Sequence, residues 1–575
     1  MRKSVAIGSL FGLTLALAAC STITPDVNSS PAAQGELSSQ SASSTGQYLV
    51  GFRRGRGIDR SAITRAGGRI NHEWNDLEAV AASLPAQALN GLRNNPNVEY
   101  VEEDLPRYAL GRKSGVSDAG GNPGSGGTVT PAATTTLWNG SSTASLSEYT
   151  WGDNALRVSG LRAANYTGAG VAVCIGDTGI DGNHPEFARK LKGYKNFMRD
   201  GRDSAYALND LSHHGTHVAG TVFAQYGAGT GAGSALSGMD ANGVGGAASG
   251  VNLYMARVLG DDGSGSSSGI INGVNWCKSL LTNKIEAKVV ISLSLGGGRF
   301  SRTEDRAYSS AYSAGVLTIA ASGNDGAAVS YPAAYASVMA IGAMDDHANI
   351  ASFSNFGSDV ELAGPGVSVL SSVPLGAGQG ATASAANVSA YSSVLAADFA
   401  AKGTVTITGI VAAGGTNNEF CGVGVKNTAL SGKIALISRG TCSFEEKVNN
   451  AVASGAVAAI IYNNTAGDLG MTLNTQKSIP VVGITQASGQ ATLAALPTTG
   501  NVSIFASDYA YLDGTSMATP HVSAAAAVVW AAKPTLTNAG LRSLLKSTAT
   551  DYGTAGFDNY FGNGLVNPLK AITGN

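Results

Sequence analysis

The chain has 575 residues, of which 37 are basic and 39 acidic, so the formal net charge is −2 and only 13% of residues are charged. This balance excludes a nucleic-acid binder that works by counterion release from a basic face. Glycine is 77 of the 575 and apolar residues are 43%, which excludes disorder and coiled coil and points to a loop-rich globular protein of roughly three to five folding units.

Arg2 and Lys3 precede an apolar run over 5–16 that is too short for a permanent membrane span, and small residues follow it. Residues 1–20 therefore read as an export signal. Leu17-Ala18-Ala19-Cys20 resembles the lipobox of bacterial lipoproteins, in which the cysteine is acylated; ordinary cleavage after an alanine, with Cys20 incidental, is the alternative. Residues 21–45 are rich in Ser, Ala, Thr and Gln and read as a flexible tether. No later run in the sequence is long and apolar enough for a transmembrane helix. Export places the protein outside the cell or in its envelope and permits disulfides. With Cys20 lipidated or removed, four cysteines are left. Cys421 and Cys442 are local neighbours and are expected to pair, which leaves Cys174 and Cys277 as the second pair. No Cys-x-x-Cys spacing occurs, so a thiolate metal site is not expected.

Residues 46–110 alternate strand-like (48–52, 77–84, 98–101) and helix-like (61–66, 85–93) patches, the order of a small split βαβ sandwich. Residues 111–148 are a Gly, Ser and Thr-rich linker, with Gly120-Gly121 and Gly124-Ser125-Gly126-Gly127, open to proteolysis. From 149 the pattern is α/β. The runs 170–175, 287–293 (Lys288 apart) and 315–321 are continuous apolar strands, which imply a parallel sheet buried on both faces and flanked by helices. Functional groups on such a sheet collect at the carboxyl ends of its strands.

Three segments carry chemistry. Asp177-Thr178-Gly179 ends a buried strand, His213-His214-Gly215-Thr216-His217 opens a helix, and Gly514-Thr515-Ser516-Met517-Ala518-Thr519-Pro520 precedes an alanine-rich helix over 522–532. Pro520 is expected in the first helical turn, where its missing N–H is not needed. Ser516 then sits at a helix N-terminus, where developing negative charge is favoured. Singly, a strand Asp, a His pair at i, i+3 and a Ser cap all have ordinary structural readings. Together, in the order Asp, His, Ser, they form the set that nucleophilic acyl transfer needs.

These three motifs resemble the signatures of the subtilisin-like serine proteases. The likeness runs over 150–374 and 509–575, including the ending Gly562-Asn563-Gly564-Leu565-Val566-Asn567, and 46–110 is similar to that family's propeptide, an inhibitor and folding chaperone. The resemblance implies an α/β subtilisin-like catalytic domain (149–374 and 509–575) with a small α+β propeptide. By motif, Ser516 is the nucleophile, His214 the general base and then acid, and Asp177 the group that orients the imidazole. Ala320-Ala321-Ser322-Gly323-Asn324 resembles the oxyanion segment, with Asn324 donating its amide beside the Ser516 N–H. Ser294-Leu295-Gly296 resembles the substrate-binding edge and Leu259-Gly260 the opposite one, with Gly323 beside them. Substrate would be a polypeptide lying as an added strand, and Gly296-Gly297-Gly298 lets its backbone approach closely. No cluster of acids is evident there, so the expected preference is broad and mostly apolar. The implied chemistry requires no cofactor. Calcium is a structural ion in the family, and scattered oxygen ligands at 240–246 are the only sequence signal for it. His184, His213, His217 and His521 read as packing neighbours. A metal site of His213, His214 and His217 would leave Ser516 and Asn324 unexplained.

The interval from Asp325 to Thr515 is far too long for a loop, so 375–508 holds a further domain. The run from Gly432 to Gly440, then Cys442-Ser443-Phe444, Lys447 and the segment 451–463, resemble the protease-associated domain over about 404–505. That resemblance implies either a rigid decoration or a lid or docking surface that limits which proteins reach the groove. The combined reading is a secreted, monomeric serine endopeptidase with polypeptide substrates and its own propeptide as inhibitor. It is made as a zymogen that cuts itself between Leu110 and Trp151. If Cys20 is lipidated, the anchor lies upstream of the propeptide and maturation releases the enzyme. The rivals are a catalytically silent surface-binding protein and a processing protease of narrow specificity.

Overall fold

A computed structural model describes residues 45–113 and 148–574, apart from 235, 237, 238, 392, 467, 468 and 472. The expected export signal, the tether and most of the linker lie outside the described residues.

The first module runs β1 (Thr45–Phe52), α1 (Arg60–Arg65), β2 (Arg69–Trp74), β3 (Ala79–Pro85), α2 (Leu89–Arg93), β4 (Val98–Glu103). Its antiparallel sheet has the order β2-β3-β1-β4. Strand periodicity divides its apolar residues between two faces. Val50, Val80 and Ala82 meet Ile63 and Leu92 of the module's own helices. Leu49, Trp74, Ala79 and Ala81 instead meet Ile271 and Ala307 of the main domain. The sequence gives no hint of β2, because Arg69-Ile70-Asn71-His72-Glu73-Trp74 is a half-buried edge strand with mostly polar residues. Two short strands follow, β5 (Pro106–Ala109) and β6 (Arg112–Lys113).

The main domain begins with α3 (Trp151–Ala155) and α4 (Val158–Ala163). Its sheet is built from β7 (Ala172–Asp177), β8 (Gly193–Asn196), β9 (Asn252–Arg257), β11 (Val289–Leu293), β13 (Leu317–Ala321), β14 (Val338–Met344) and β15 (Val360–Pro365). The order is β15-β14-β13-β11-β7-β9-β8, parallel throughout. Every residue of β7, β11, β13, β14 and β15 is buried, as continuous apolar runs require. Val173 and Ile175 face the core that holds α5 (His214–Phe223) and α10 (Thr515–Ala532). Ala172 and Cys174 face the core under α6 (Ser267–Thr282) and α7 (Arg302–Ser313). Short strands β10 (Ser264–Ser266) and β12 (Leu295–Gly296) lie beyond the sheet's carboxyl edge. Cys174 is disulfide-bonded to Cys277, tying β7 to α6, and Cys421 is bonded to Cys442.

β16 (Val369–Ser372) pairs antiparallel with β24 (Tyr509–Asp513), from Val369↔Leu512 to Ser372↔Tyr509. This pair closes the base of an inserted domain. The insertion contains β17 (Gly378–Ala385), β18 (Val394–Ala396), β19 (Gly403–Ala412), β20 (Ile434–Ser438), α8 (Phe444–Ala453), β21 (Ala458–Tyr462), β22 (Val481–Ile484), α9 (Gln486–Ala494) and β23 (Thr498–Ser507). Its sheet order is β17-β23-β19-β20-β21-β22-β18, around a core of its own.

Helix α10 corrects one expectation. It starts at Thr515, so Pro520 lies inside the helix rather than in its first turn. Proline has no N–H to offer the carbonyl four residues back. That carbonyl, of Ser516, instead accepts from Ser294 Oγ at 2.8 Å. Among the described residues no helix is long and apolar enough to cross a membrane.

Candidate active site

Strand β7 ends at Asp177 and α5 begins at His214, and the two side chains meet behind the sheet's carboxyl edge. The buried Asp177 carboxylate accepts from His214 Nδ1 at 2.7 Å and from the Thr178 N–H at 2.7 Å, both on Oδ1. Burial pulls the His214 imidazolium down, while the charge and hydrogen bond of Asp177 push it up; the net pKa is above the ordinary 6.5. Sequence reasoning missed the residue that clamps these two motifs together. Asp210 Oδ1 accepts from Thr178 Oγ1 (2.8 Å) and the His213 N–H (3.0 Å), and its Oδ2 accepts from Thr216 N–H (2.8 Å) and Oγ1 (2.5 Å). An acid just ahead of a helix start was the available signal.

Ser516 is the second residue of α10. Its Oγ donates to the Ser294 carbonyl at 2.9 Å rather than to His214. His214 Nε2 is buried with no hydrogen-bond partner among the described residues. Gly111 lies against this nitrogen; a methyl group added there would come within 2.7 Å of it.

Residues 106–113 run through the site as an added strand. β5 pairs antiparallel with β12 (Leu295↔Ala109, Gly296↔Tyr108) and with β10 (Ser264↔Tyr108, Gly265↔Arg107, Ser266↔Pro106). The Ala109 N–H donates to the Gly263 carbonyl at 2.8 Å and the Leu110 N–H to the Ser294 carbonyl at 3.2 Å. The Leu110 carbonyl accepts from Asn324 Nδ2. Asn324 Oδ1 in turn accepts from Thr515 N–H and Oγ1, each at 2.9 Å, which fixes the orientation of the amide. Past Gly111 the chain pairs on the other side, Arg112↔Asp513 and Lys113↔Leu512. The Leu110–Gly111 peptide thus crosses the site intact, with strand pairing before and after it.

Leu295 and Gly296, with the Ser294 carbonyl, form the edge on which residues 108–110 pair. Gly296 leaves the room that the Leu110 side chain uses, since a methyl there would come 2.8 Å from Leu110 Cδ1. The opposite edge needs correction. Leu259 is fully buried in the core, and the Gly260 N–H bonds the Ser264 carbonyl at 2.7 Å in a turn. The pairing edge is therefore Gly263 with β10. Gly323 supports the site through its backbone: its N–H bonds Thr515 Oγ1 at 3.2 Å, and its carbonyl accepts from the Asn355 N–H at 2.9 Å. A methyl there would collide with the Asn355 amide, and its φ of +121° favours glycine.

Sequence reasoning also missed an acidic partner in the groove. Arg107 is buried and forked onto Glu304, with Nε to Oε1 at 3.1 Å and Nη2 to Oε2 at 2.7 Å. Ser301 Oγ caps α7 by accepting from the Glu304 N–H at 3.2 Å, so Ser-x-x-Glu reads locally as a capping box. The carboxylate, however, turns to the groove.

Three further histidines bond to backbone carbonyls: His217 Nε2 to Val369 (3.0 Å) and Ala510 (3.1 Å), His184 Nε2 to Asp508 (3.1 Å), and His521 Nδ1 to Met517 (2.8 Å). His213, with φ +70°, turns the chain into α5. The stretch 240–246 adjoins Glu186, whose Oε1 accepts from the Val244 N–H (2.9 Å) and the Tyr509 hydroxyl (2.8 Å). Glu186 Oε2 is buried with no partner among the described residues. Burial, with the charges of Glu148 and Asp240 adding to it, pushes the Glu186 carboxyl up to about 8. That free oxygen beside the 240–246 loop is a candidate ligand for a hard cation, but Glu186, Glu148 and Asp240 do not gather into a cluster; among the described residues the group of acids and histidine that does is Asp345, Asp346 and His347.

Comparison with known proteins accords with this geometry. The model of the subtilase family matches residues 168–406, and that of the PA domain matches 399–492. Subtilisin NAT of Bacillus subtilis subsp. natto is 31% identical over 386 residues, covering 65% of this chain and 83% of its own. The crystal structure of a psychrophilic subtilisin-like protease from the Antarctic psychrotroph Pseudoalteromonas sp. AS-11 superposes with a TM-score of 0.55 at 30% identity, over 73% of this chain and 96% of that one. Fervidolysin of Fervidobacterium pennivorans shares the fold, with a TM-score of 0.56 at 21% identity over 92% of this chain and 61% of its own. A parallel sheet of this topology, in a chain with these relatives, is that of a serine endopeptidase. The chain belongs to the subtilase family and carries an inserted PA domain. Chemistry in this family requires no cofactor, and its substrates are polypeptides.

Proposed function

We propose that the chain is a self-processing zymogen whose first cut falls between Leu110 and Gly111. The observation that carries this reading is the Leu110 carbonyl on the Asn324 amide, with strand pairing on both sides of the next peptide bond. Ser516 Oγ turns from the Ser294 carbonyl towards His214, whose Nε2 takes its proton as the oxygen attacks the Leu110 carbonyl carbon. Asp177 stabilises the imidazolium. Negative charge developing on the Leu110 oxygen is met by Asn324 and the Ser516 N–H. Collapse transfers the proton from His214 to the Gly111 nitrogen, which leaves as an amine. Water, deprotonated by His214, then releases the acyl group. Substrates in trans follow the same path.

Residues 46–110 act as inhibitor and folding aid. Their strand fills the groove, and two of their carboxylates cap main-domain helices. Glu102 accepts from Ser301 Oγ (2.7 Å) and from the Arg302 and Thr303 N–H groups (2.9 Å each), at the start of α7. Asp104 accepts from the Ser268 N–H (2.8 Å) and Oγ (2.5 Å), at the start of α6. The PA domain acts as a partial lid. A cavity of about 400 Å³ beside Gly111 and His214 is walled on its far side by Val394, Leu395 and Met471. This placement supports a lid that limits which proteins reach the groove. Glu186, with oxygens of the 240–246 loop, would hold a calcium ion that braces the fold and takes no part in the chemistry. An export signal over 1–20, with Cys20 lipidated upstream of the cut, would hold the precursor at the envelope and let the mature enzyme, a monomer in this reading, be released from it.

The deciding experiment is labelling with a serine-directed fluorophosphonate. Mature wild type is expected to label and Ser516→Ala not to; equal labelling of both would end the assignment, and no labelling of either would favour the silent binding protein.

A further inference from the structure

We infer that Glu304 makes the pocket for the fourth residue before the cleaved bond selective for arginine, so that this enzyme acts on polypeptides carrying Arg at that place. The inference rests on the proposed function, because it takes residues 106–110 as the image of a bound substrate. Counting back from the Leu110–Gly111 bond, the fourth residue is Arg107.

Its side chain is 1% exposed and that of Glu304 is also 1% exposed. The guanidinium makes the two parallel bonds onto the carboxylate already described, and Nη2 also donates to the Arg299 carbonyl at 2.8 Å. Nη1 donates to the Pro106 carbonyl at 3.2 Å. Such a fork is a geometry that arginine meets and lysine does not. The carboxylate is held for the task by the enzyme itself. Ser267 Oγ donates to Oε1 at 2.5 Å, and the Tyr335 hydroxyl donates to Oε2 at 2.9 Å. Tyr335 stacks on the buried Tyr308, with ring centroids 5.5 Å apart. Gly297 keeps the entrance open, since a methyl there would lie 2.9 Å from Arg107 Nη1.

Glu304, Ser267 and Tyr335 all belong to the part that remains after the cut, so the pocket survives maturation. A neutral side chain entering it would leave a buried carboxylate without its cation, which is strongly unfavourable. A purely structural pairing would stabilise the precursor but would make no distinction among peptides in trans. The expectation of a broad, apolar preference therefore gives way at this one subsite, and the reading as a processing protease of narrow specificity gains a physical basis.

The test uses mature enzyme and quenched-fluorescence peptides of the sequence Pro-Xaa-Tyr-Ala-Leu-Gly, with Xaa arginine, citrulline or leucine. Citrulline keeps the shape of arginine without its charge. For wild type, kcat/KM is expected to fall about 10- to 100-fold from arginine to leucine, with citrulline well below arginine. In Glu304→Leu the preference is expected to vanish or reverse, and in Glu304→Gln to shrink. Arginine and citrulline turned over within twofold of each other by wild type would overturn the inference, and that comparison stands even if Glu304→Leu does not fold. Cleavage after leucine without any preference at Xaa leaves the proposed function in place and removes only this inference. No cleavage of any peptide by an enzyme that also resists the fluorophosphonate removes both.

Discussion

If the proposed cut is right, Gly296 sets the size of the side chain that precedes the cleaved bond, and Gly296→Ala measures it. The added methyl would lie 2.8 Å from Leu110 Cδ1, with Ser330 Cβ and the Tyr331 carbonyl oxygen each at 3.3 Å on its other flanks. The leucine end is flexible, but the two other neighbours are anchored, so the leucine must withdraw. Its three carbons beyond Cβ are worth about 0.8 kcal/mol each on burial, or ~2.4 kcal/mol together. At about 1.4 kcal/mol per factor of ten, the preference for leucine over alanine should fall about 50-fold. The assay is kcat/KM on two peptides that differ only at this residue, measured for both enzymes. A ratio that does not move would show that the Leu110 side chain seen in the groove does not report how substrates bind.

Three further outcomes follow from the site. His214 must be neutral to take the Ser516 proton, and its pKa lies above the ordinary 6.5. The acid limb of kcat/KM should therefore rise with pH about a midpoint above that value, and a midpoint below it in the pH profile would contradict the Asp177–His214 assignment. Asn324→Ala should lower kcat about 10²- to 10³-fold with little change in KM, by loss of one donor to the developing oxyanion; a loss confined to KM would point to simple binding. Chelation should lower the thermal midpoint of the mature enzyme, with calcium restoring it. Because burial pushes the Glu186 carboxyl up to about 8 and the group must lose its proton to bind, that stabilisation should grow as pH rises towards and past that value. Glu186→Gln should abolish the effect, and a midpoint indifferent to chelation would remove the ion from the account.

The parts legible in the sequence are those that chemistry ties to short stretches of chain. An acid at a strand end, an imidazole and a hydroxyl at helix starts, and an amide after a buried strand each leave a local pattern, and the structure gathers Asp177 with His214 and Asn324 with Thr515. Continuous apolar runs gave away the buried strands, and the nearness of Cys421 to Cys442, with Cys174 and Cys277 left over, pointed to the pairs the structure joins. The features that escaped are set by tertiary contact. Arg107 and Glu304 are 197 residues apart in sequence, and Glu304 already has a sufficient local role as the third residue of a capped helix. Leu259-Gly260 looks like an edge, but Leu259 fills the core and the chain turns before it pairs. β2 lacks a pattern because a polar edge strand need bury little. Pro520 passes inside α10 only because Ser294, more than two hundred residues earlier, supplies the missing donor.

The most direct measurement of the central claim is intact mass with N-terminal sequencing of wild type and Ser516→Ala, purified side by side. The account predicts that wild type is cut between Leu110 and Gly111, leaving Gly111 as the new N-terminus, while Ser516→Ala keeps this bond whole. A pure Ser516→Ala protein cut at the same bond, or a wild type never cut there, would contradict it.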